Sequence, residues 1–386
     1  MLKLIIVDDC RTARAALRFA LEKDHEILVL GEAENGAQAL SLLERYEPDL
    51  LTMDVYLGSE NGLDLSRQIM ATHPLPIVVL TAAALEGTEL AYQALQHGAL
   101  EARPKLPAPH HPDYAKRCRE LRRLLHNLSK VPVLHAASRR VRSAVASSRV
   151  SKQNYGEQAS RPIDKNPASR ELGSAELASQ AAVARPFGPP SARSVHPFTP
   201  TMLLIGASTG GPQLLARLLS SLPASFAFPV LVVQHIAAGF GEGFASWLAE
   251  ASGHPCDLLS HRCSLVGGRI YLAPDSRDLC LLAPCLVEVC DPQPGASIAP
   301  SIDVCFESAA AMGAMPALAL LLTGMGRDGA RGMARLHRAG AVSIAQSPST
   351  CTVDSMPKAA IQEGVSAVME PEQMMDYLQR CAALKR

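Results

Sequence analysis

The sequence predicts an α/β protein of two doubly wound domains, each built on a parallel sheet, joined by a long disordered linker. Three observations predict it. Five apolar runs alternate with five helix-spaced amphipathic runs over residues 1–129. A second strand–helix series fills residues 201–386. Between them, over residues 130–200, Ala, Ser, Arg and Pro dominate and no apolar periodicity persists, so that stretch has little with which to build a core.

Taken in order, "LKLIIV", "HEILVLGEA", "PDLLTMDV", "LPIVVLTA" and the weaker "ALEAR" are short apolar runs bounded by turn residues, which predicts strands. "RTARAALRFALEK", "GAQALSLLERY", "GLDLSRQIMATH", "TELAYQALQHG" and "DYAKRCRELRRLLHNLS" repeat their apolar residues every three or four positions, which predicts helices. The linker carries eleven Lys/Arg against four Asp/Glu, but they are dispersed rather than clustered, which argues against a nucleic-acid-binding arm. Beyond it, "TMLLIGAS", "FPVLVVQHI", "GGRIYLAP", "LCLLAPCLVEV", "MPALALLLTG" and "AVSIAQ" are strand candidates, with an antiparallel excursion expected near residues 269–289. "GPQLLARLLSSL", "GFGEGFASWLAEAS", "SIDVCFESAAAMG", "ARGMARLHRAG", "MPKAAIQEG" and "EQMMDYLQRCAAL" are helix candidates.

Composition removes several classes of function. At 386 residues and 48% apolar the chain can fill two cores, and its formal net charge of zero gives no overall field toward nucleic acid or membrane. No run nears the roughly 18 apolar residues of a membrane span. The opening "MLKLIIVDDC" lacks the basic-then-apolar layout of a signal peptide, so a cytoplasmic location is expected. The ten cysteines include no C-x-x-C pair, which points to reduced thiols used as small apolar residues and gives a zinc site little support.

Ligands of open parallel sheets gather at the carboxyl ends of strands. In the first domain those positions hold Asp8, Asp9, Asp54, Thr81 and Lys105. Any one of them alone reads as a turn residue or helix cap. Together, three carboxylates can hold Mg²⁺ through oxygen ligands and leave one to attack phosphorus, with Lys105 and Thr81 to receive the phosphoryl oxygens. This segment resembles a response-regulator receiver domain, carried by "VDD", "MDV" with Gly62 eight residues after Asp54, "LTA" and a late Lys. The resemblance implies a flavodoxin-like sheet, Asp54 as phosphoacceptor, Asp8 and Asp9 as Mg²⁺ ligands beside it, Thr81 as switch hydroxyl and Lys105 as phosphate contact. Three departures stand out. Gly58 replaces the usual Pro, Ala102 replaces an aromatic, and "ARPKLP" replaces the usual Lys-Pro step.

The second domain repeats the arrangement with different chemistry. Ser208 follows "TMLLIGA" at a tight turn into a helix, where backbone amides suit a developing oxyanion. His235 follows "FPVLVVQ", and Asp328 follows "ALALLLTGMGR". A nucleophile, a base and an orienting carboxylate thus occupy three strand ends of one sheet. Alone, Ser208 reads as a cap, His235 as a core histidine and Asp328 as a cap. The motifs "IGASTGGP", "VVQHI", "GRIYLAP", "PSIDVCFESAA", "LLTGMGRDGARGMARL" and "AQSPSTCTVDSMPKAAI" resemble the catalytic domain of chemotaxis protein-glutamate methylesterases over nearly its full length. The resemblance implies a Rossmann-like hydrolytic domain with Ser208, His235 and Asp328 as its triad, and Thr209 and the Met325 amide as transition-state contacts. It further implies hydrolysis of glutamate methyl esters on cytoplasmic helices of chemoreceptors, with deamidation of receptor glutamines as an associated activity. A chemotaxis-type histidine kinase would be the phosphodonor. The ester hydrolysis is expected to need no cofactor, and the protein no nucleic acid and no membrane insertion.

Two other readings compete. The glycines of 321–332 match G-x-G-x-x-G, as in a nucleotide-binding enzyme, but no acid follows at the ribose position and Asp328 sits where a pyrophosphate would approach. A non-enzymatic response regulator would leave the Ser, His and Asp set unexplained and has no helix-turn-helix or basic stripe behind it.

Overall fold

The computed structural model describes residues 1–23, 25–81, 92–95, 98–131, 195–296, 298–313 and 315–384. The N-terminal strands are β1 (Leu2–Val7), β2 (Ile27–Ala33), β3 (Leu50–Met53), the short hairpin β4 (Tyr56–Leu57) and β5 (Glu60–Asn61), β6 (Ile77–Thr81) and β7 (Glu101–Pro104). Among the described residues, five of them form one sheet in the order β2-β1-β3-β6-β7, and every pairing in it is parallel. Burial on both faces explains the near-continuous apolar strands: in β1 only Lys3 is exposed. Helices α1 (Arg11–Glu22), α2 (Gly36–Arg45), α3 (Gly62–Thr72) and α4 (Tyr114–Leu128) cover the faces. Their inward stripes follow the predicted spacing, as in α4 with Cys118, Leu121, Leu125 and Leu128 buried. Of the helix expected over 88–98, residues 92–95 are described and helical, and the rest lies outside the described residues.

The expected linker lies mostly outside the described residues. Its last six residues are described, and they pack on the second domain. The Tyr377 hydroxyl donates to the His196 carbonyl at 3.0 Å. Val195 and Phe198 lie against the apolar core.

The C-terminal strands are β8 (Met202–Ala207), β9 (Val230–Gln234), β10 (Cys256–Leu258), β11 (Cys263–Ser264), β12 (Ile270–Leu272), β13 (Asp278–Ala283), β14 (Leu286–Cys290), β15 (Ala317–Leu321), β16 (Val342–Gln346) and β17 (Ala367–Met369). Seven form a sheet in the order β10-β12-β9-β8-β15-β16-β17, and its pairings are all parallel. The antiparallel excursion is real: β11, β14 and β13 make a separate three-stranded sheet. Helices α5 (Gly211–Ser220), α6 (Gly241–Ser252), α7 (Ile302–Ala310), α8 (Ala330–Arg338), α9 (Ser355–Glu363) and α10 (Pro371–Ala383) enclose the seven-stranded sheet. The three-residue strands β10 and β17 were not foreseen, because so few residues show no period. All ten cysteines are free.

Strand order positions both sites. From β1 the chain goes outward to β2 on one side and to β3 on the other; from β8 it goes to β9 on one side and β15 on the other. At such a reversal the connections diverge and leave a crevice beyond the strand ends.

Candidate functional site

The crevice beside β1 collects the acids. Asp8, Asp9 and Asp54 each offer a carboxylate oxygen, all within 4.8 Å of one another. Lys105 Nζ lies 2.7 Å from both Asp8 Oδ2 and Asp54 Oδ2. Burial pushes the Asp54 carboxyl above its ordinary value; Lys105 pulls it down, and neighbouring Asp8 adds to the rise. For Lys105, burial favours loss of the proton, but its two carboxylate partners prevail and hold its pKa above the ordinary value. Three carboxylates facing one ammonium leave an excess of negative charge on hard oxygen donors, which suits a small divalent cation. The fully buried Thr81 ends β6, and its hydroxyl has no hydrogen-bond partner among the described residues. A buried, unpaired hydroxyl beside an acid cluster is available to a further oxygen.

Gly58 replaces proline for a visible reason. Its φ of +65° is closed to proline, and its N–H donates to Asp9 Oδ2 at 3.0 Å, a bond proline cannot make. Ala102 is buried in β7, with no ring to switch.

The crevice beside β8 holds the second set. Ser208 follows β8 with its amide donating to the Thr323 carbonyl at 3.0 Å, and it is 5% exposed. His235 follows β9, and its Nε2 lies 2.8 Å from Asp328 Oδ2. Asp328 lies before α8 but is held chiefly by α7. The Ile302 and Asp303 amides donate to it at 2.7 and 3.0 Å, and the Ser301 hydroxyl at 3.0 Å. These amides are in the first turn of α7, where no intrahelical acceptor exists. Burial pushes the Asp328 carboxyl up, but the His235 contact and the two amides overcome it, so its pKa is lowered. The carboxylate is therefore fixed in charge and in orientation.

Gly324 lets the turn after β8 and the 321–332 turn meet. A Cβ there would come within 2.7 Å of the Ser208 Cβ and would collide with the Met356 sulfur. Ser208, Thr209, His235 and Met325 line one cavity of about 630 Å³. Sequence reasoning missed Gln234, whose buried amide donates to the carbonyls of Ser208 at 2.9 Å and His235 at 3.2 Å. It also missed Ser301, although a Ser heading a helix is a recognisable cap.

The chain matches the profile of the CheB methylesterase family over residues 203–378 and that of the response regulator receiver domain over residues 4–106. A protein-glutamate methylesterase/protein-glutamine glutaminase of Anaeromyxobacter dehalogenans is 36% identical over 380 residues, 98% of each chain. A protein of the same name from Hahella chejuensis is 34% identical over 377 residues, 97% of each chain. The crystallised CheB methylesterase catalytic domain of Thermotoga maritima is 30% identical, the match covering 46% of this chain and 98% of that one with a TM-score of 0.43. The chain belongs to the CheB methylesterase family.

Its receiver and methylesterase domains touch close to Ser208. The Gln213 amide, on α5, donates to the receiver carbonyls of Leu95 at 2.7 Å and Ala99 at 2.5 Å. Receiver residue Tyr92 sits 4.9 Å from Phe244 and 5.6 Å from Trp247, ring centre to ring centre, and aromatic pairs of this kind contribute about 0.5–1.5 kcal/mol each. Receiver residue Asn127 reaches the Met325 sulfur at 2.6 Å. Burial raises the Glu101 carboxyl, while Arg103, the Ala102 amide and, from the methylesterase domain, the Thr209 hydroxyl and Gly210 amide pull it down. Glu101 is thus a receiver carboxyl buried against the two residues that follow Ser208.

Proposed function

We propose that the protein hydrolyses glutamate methyl esters on the cytoplasmic helices of chemoreceptors, releasing methanol, and that phosphorylation of its receiver regulates the reaction. The observation that carries this is the partly buried His235–Asp328 pair, 2.8 Å apart, with His235 lining one cavity with Ser208. Ser208 Oγ attacks the ester carbonyl and forms an acyl-enzyme. With Nε2 committed to Asp328, Nδ1 is the His235 atom left to take the hydroxyl proton and return it to the departing methoxide. Water then repeats the sequence, leaving a free glutamate and the restored serine. Thr209 and the Met325 amide would support the oxyanion; both residues line the cavity that holds Ser208. Deamidation of receptor glutamines would use the same residues, with more demand on the acid step of His235.

The division of labour follows residues 1–129 as receiver, 130–200 as linker and 201–386 as catalytic domain. In the receiver an Asp54 oxygen accepts a phosphoryl group from a chemotaxis-type histidine kinase in the cytoplasm. Asp8, Asp9 and Asp54 would hold Mg²⁺, whose charge offsets that of the entering phosphate. Lys105 and the unpaired Thr81 hydroxyl take phosphoryl oxygens, which draws on β6 and β7. Strand β7 carries Glu101 against Thr209 and Gly210 and leads directly into Lys105, so one strand links the phosphate contact to the turn after Ser208. Among the described residues no helix is long and apolar enough to cross a membrane.

The test is methanol release from methylated receptor membranes by the full chain, with and without a phosphodonor. Ser208→Ala should lower it by about 10³-fold or more. Undiminished release from that variant would overturn the proposal.

A further inference from the structure

The two walls of the cavity around Ser208 differ in charge. Among the described residues, the catalytic side contributes Ser208, His235, Met325 and small or apolar neighbours such as Ala237 and Ala299, and no Asp, Glu, Lys or Arg. Among the described residues, the formally charged lining comes from the receiver: Arg103, Lys105, Lys116, Arg117 and Arg123, against the acid Glu120. Three of the cations have local work. Lys105 binds Asp8 and Asp54, Arg103 lies 3.7 Å from Glu101, and Lys116 lies 4.0 Å from Glu120. Arg117 and Arg123 pair with no acid among the described residues. Both line the same cavity as Ser208, and Asn127 of the same helix touches Met325.

We infer that the receiver's α4 is the outer wall of the ester-hydrolysing cleft, and that Arg117 and Arg123 recognise acidic residues flanking the glutamyl ester. The inference rests on the methylesterase reading of Ser208. Nothing charged on the catalytic wall can select an anionic segment, and the chain as a whole has zero formal charge, so selection for charge falls to this helix. A cavity of about 630 Å³ takes a few side chains, so the segment enters as the walls part, with the guanidinium groups at the rim. The chemistry gives the wall a further consequence. Each hydrolysis turns a neutral ester into a carboxylate, so a substrate with several esters becomes a better ligand as it is processed. The receiver then supplies substrate recognition as well as cover.

The experiment uses the full chain with acetyl phosphate and Mg²⁺. Two synthetic helical peptides each carry one glutamyl methyl ester, flanked by glutamates in one and by alanines in the other. At low salt the wild type should favour the acidic peptide in kcat/KM by about tenfold. In 0.5 M salt that ratio should fall toward one, since exposed charges are screened within a few ångströms there. Arg117→Gln with Arg123→Gln should bring it close to one at low salt, and Arg117→Glu with Arg123→Glu should invert it. A wild-type ratio of one, or a ratio unchanged by salt or in the double variants, overturns the inference. Hydrolysis of both peptides by Ser208→Ala would instead overturn the methylesterase reading beneath it.

Discussion

Asp54 and Asp328 occupy the same kind of place and behave in opposite ways. Both are mostly buried carboxylates at the ends of parallel strands, beside a reversal of strand order. Burial raises both. Around Asp54 another acid stands close and one Lys is shared, so the rise persists. Around Asp328 a histidine and two helix-terminal amides point at the charge, and the pKa falls. The fold supplies a crevice in each case; the partners decide whether the carboxylate is held ready to change or is locked as an anion. A phosphoacceptor needs the first condition and an orienting residue needs the second.

The largest effect is expected at Asp328. Asp328→Asn keeps the shape but not the charge and favours the wrong imidazole tautomer, so methyl-ester hydrolysis should fall by about 10³–10⁴-fold. A loss under tenfold would reduce Asp328 to a cap for α7. Asp54→Asn should leave the triad's hydrolysis in place and remove the response to a phosphodonor.

The pH dependence of stability should also separate the two carboxylates, because their shifts have opposite linkage. The lowered Asp328 pKa stabilises the fold above the ordinary carboxylate range, and this is lost as pH falls through its folded value. The raised Asp54 pKa does the reverse: its stability contribution is full below the ordinary value and is lost as pH rises through the folded one. Thermal melts should therefore show Asp328→Asn less stable than wild type at pH 7 and Asp54→Asn more stable. Both differences should shrink toward zero in acid. Differences of the same sign at pH 7 would mean that packing, not charge, separates the two sites.

The smallest expected effect lies at Gly58. Gly58→Pro restores the residue usual in receivers but loses the N–H bond to Asp9 and forces φ away from +65°. It should destabilise the receiver by about 1–3 kcal/mol and slow phosphorylation of Asp54, measured with acetyl phosphate. A receiver unchanged by proline would mean that the Asp9 contact is incidental.

Much of both sites was legible beforehand because it depends on local pattern and one topological rule. Runs such as "LKLIIV" and "MLLIGA" can only be buried strands, and the residue after each such strand must face the crevice. That rule reaches Asp8, Asp54, Ser208 and His235; Asp328 lies seven residues beyond β15, and the resemblance of "LLTGMGRDGARGMARL" pointed to it instead. Lys105 was harder, since "ARPKLP" departs from the receiver pattern, yet its backbone continues β7 by donating to the Thr81 carbonyl at 2.9 Å and its ammonium reaches both acids. Gln234 and Ser301 carry no periodic signal, because their value lies in which distant carbonyl or carboxylate they meet.

The α/β plan is written along the chain in burial and strand–helix alternation, and the sequence alone named Ser208, His235, Asp328 and Asp54 as candidates. Only the tertiary structure decided the charge state of each carboxylate, the cradle of amides around Asp328, and the contact of Glu101, Tyr92 and Asn127 with the catalytic domain. Those depend on groups tens to hundreds of residues apart meeting within a few ångströms. No local propensity encodes which side chain stands opposite another across a crevice.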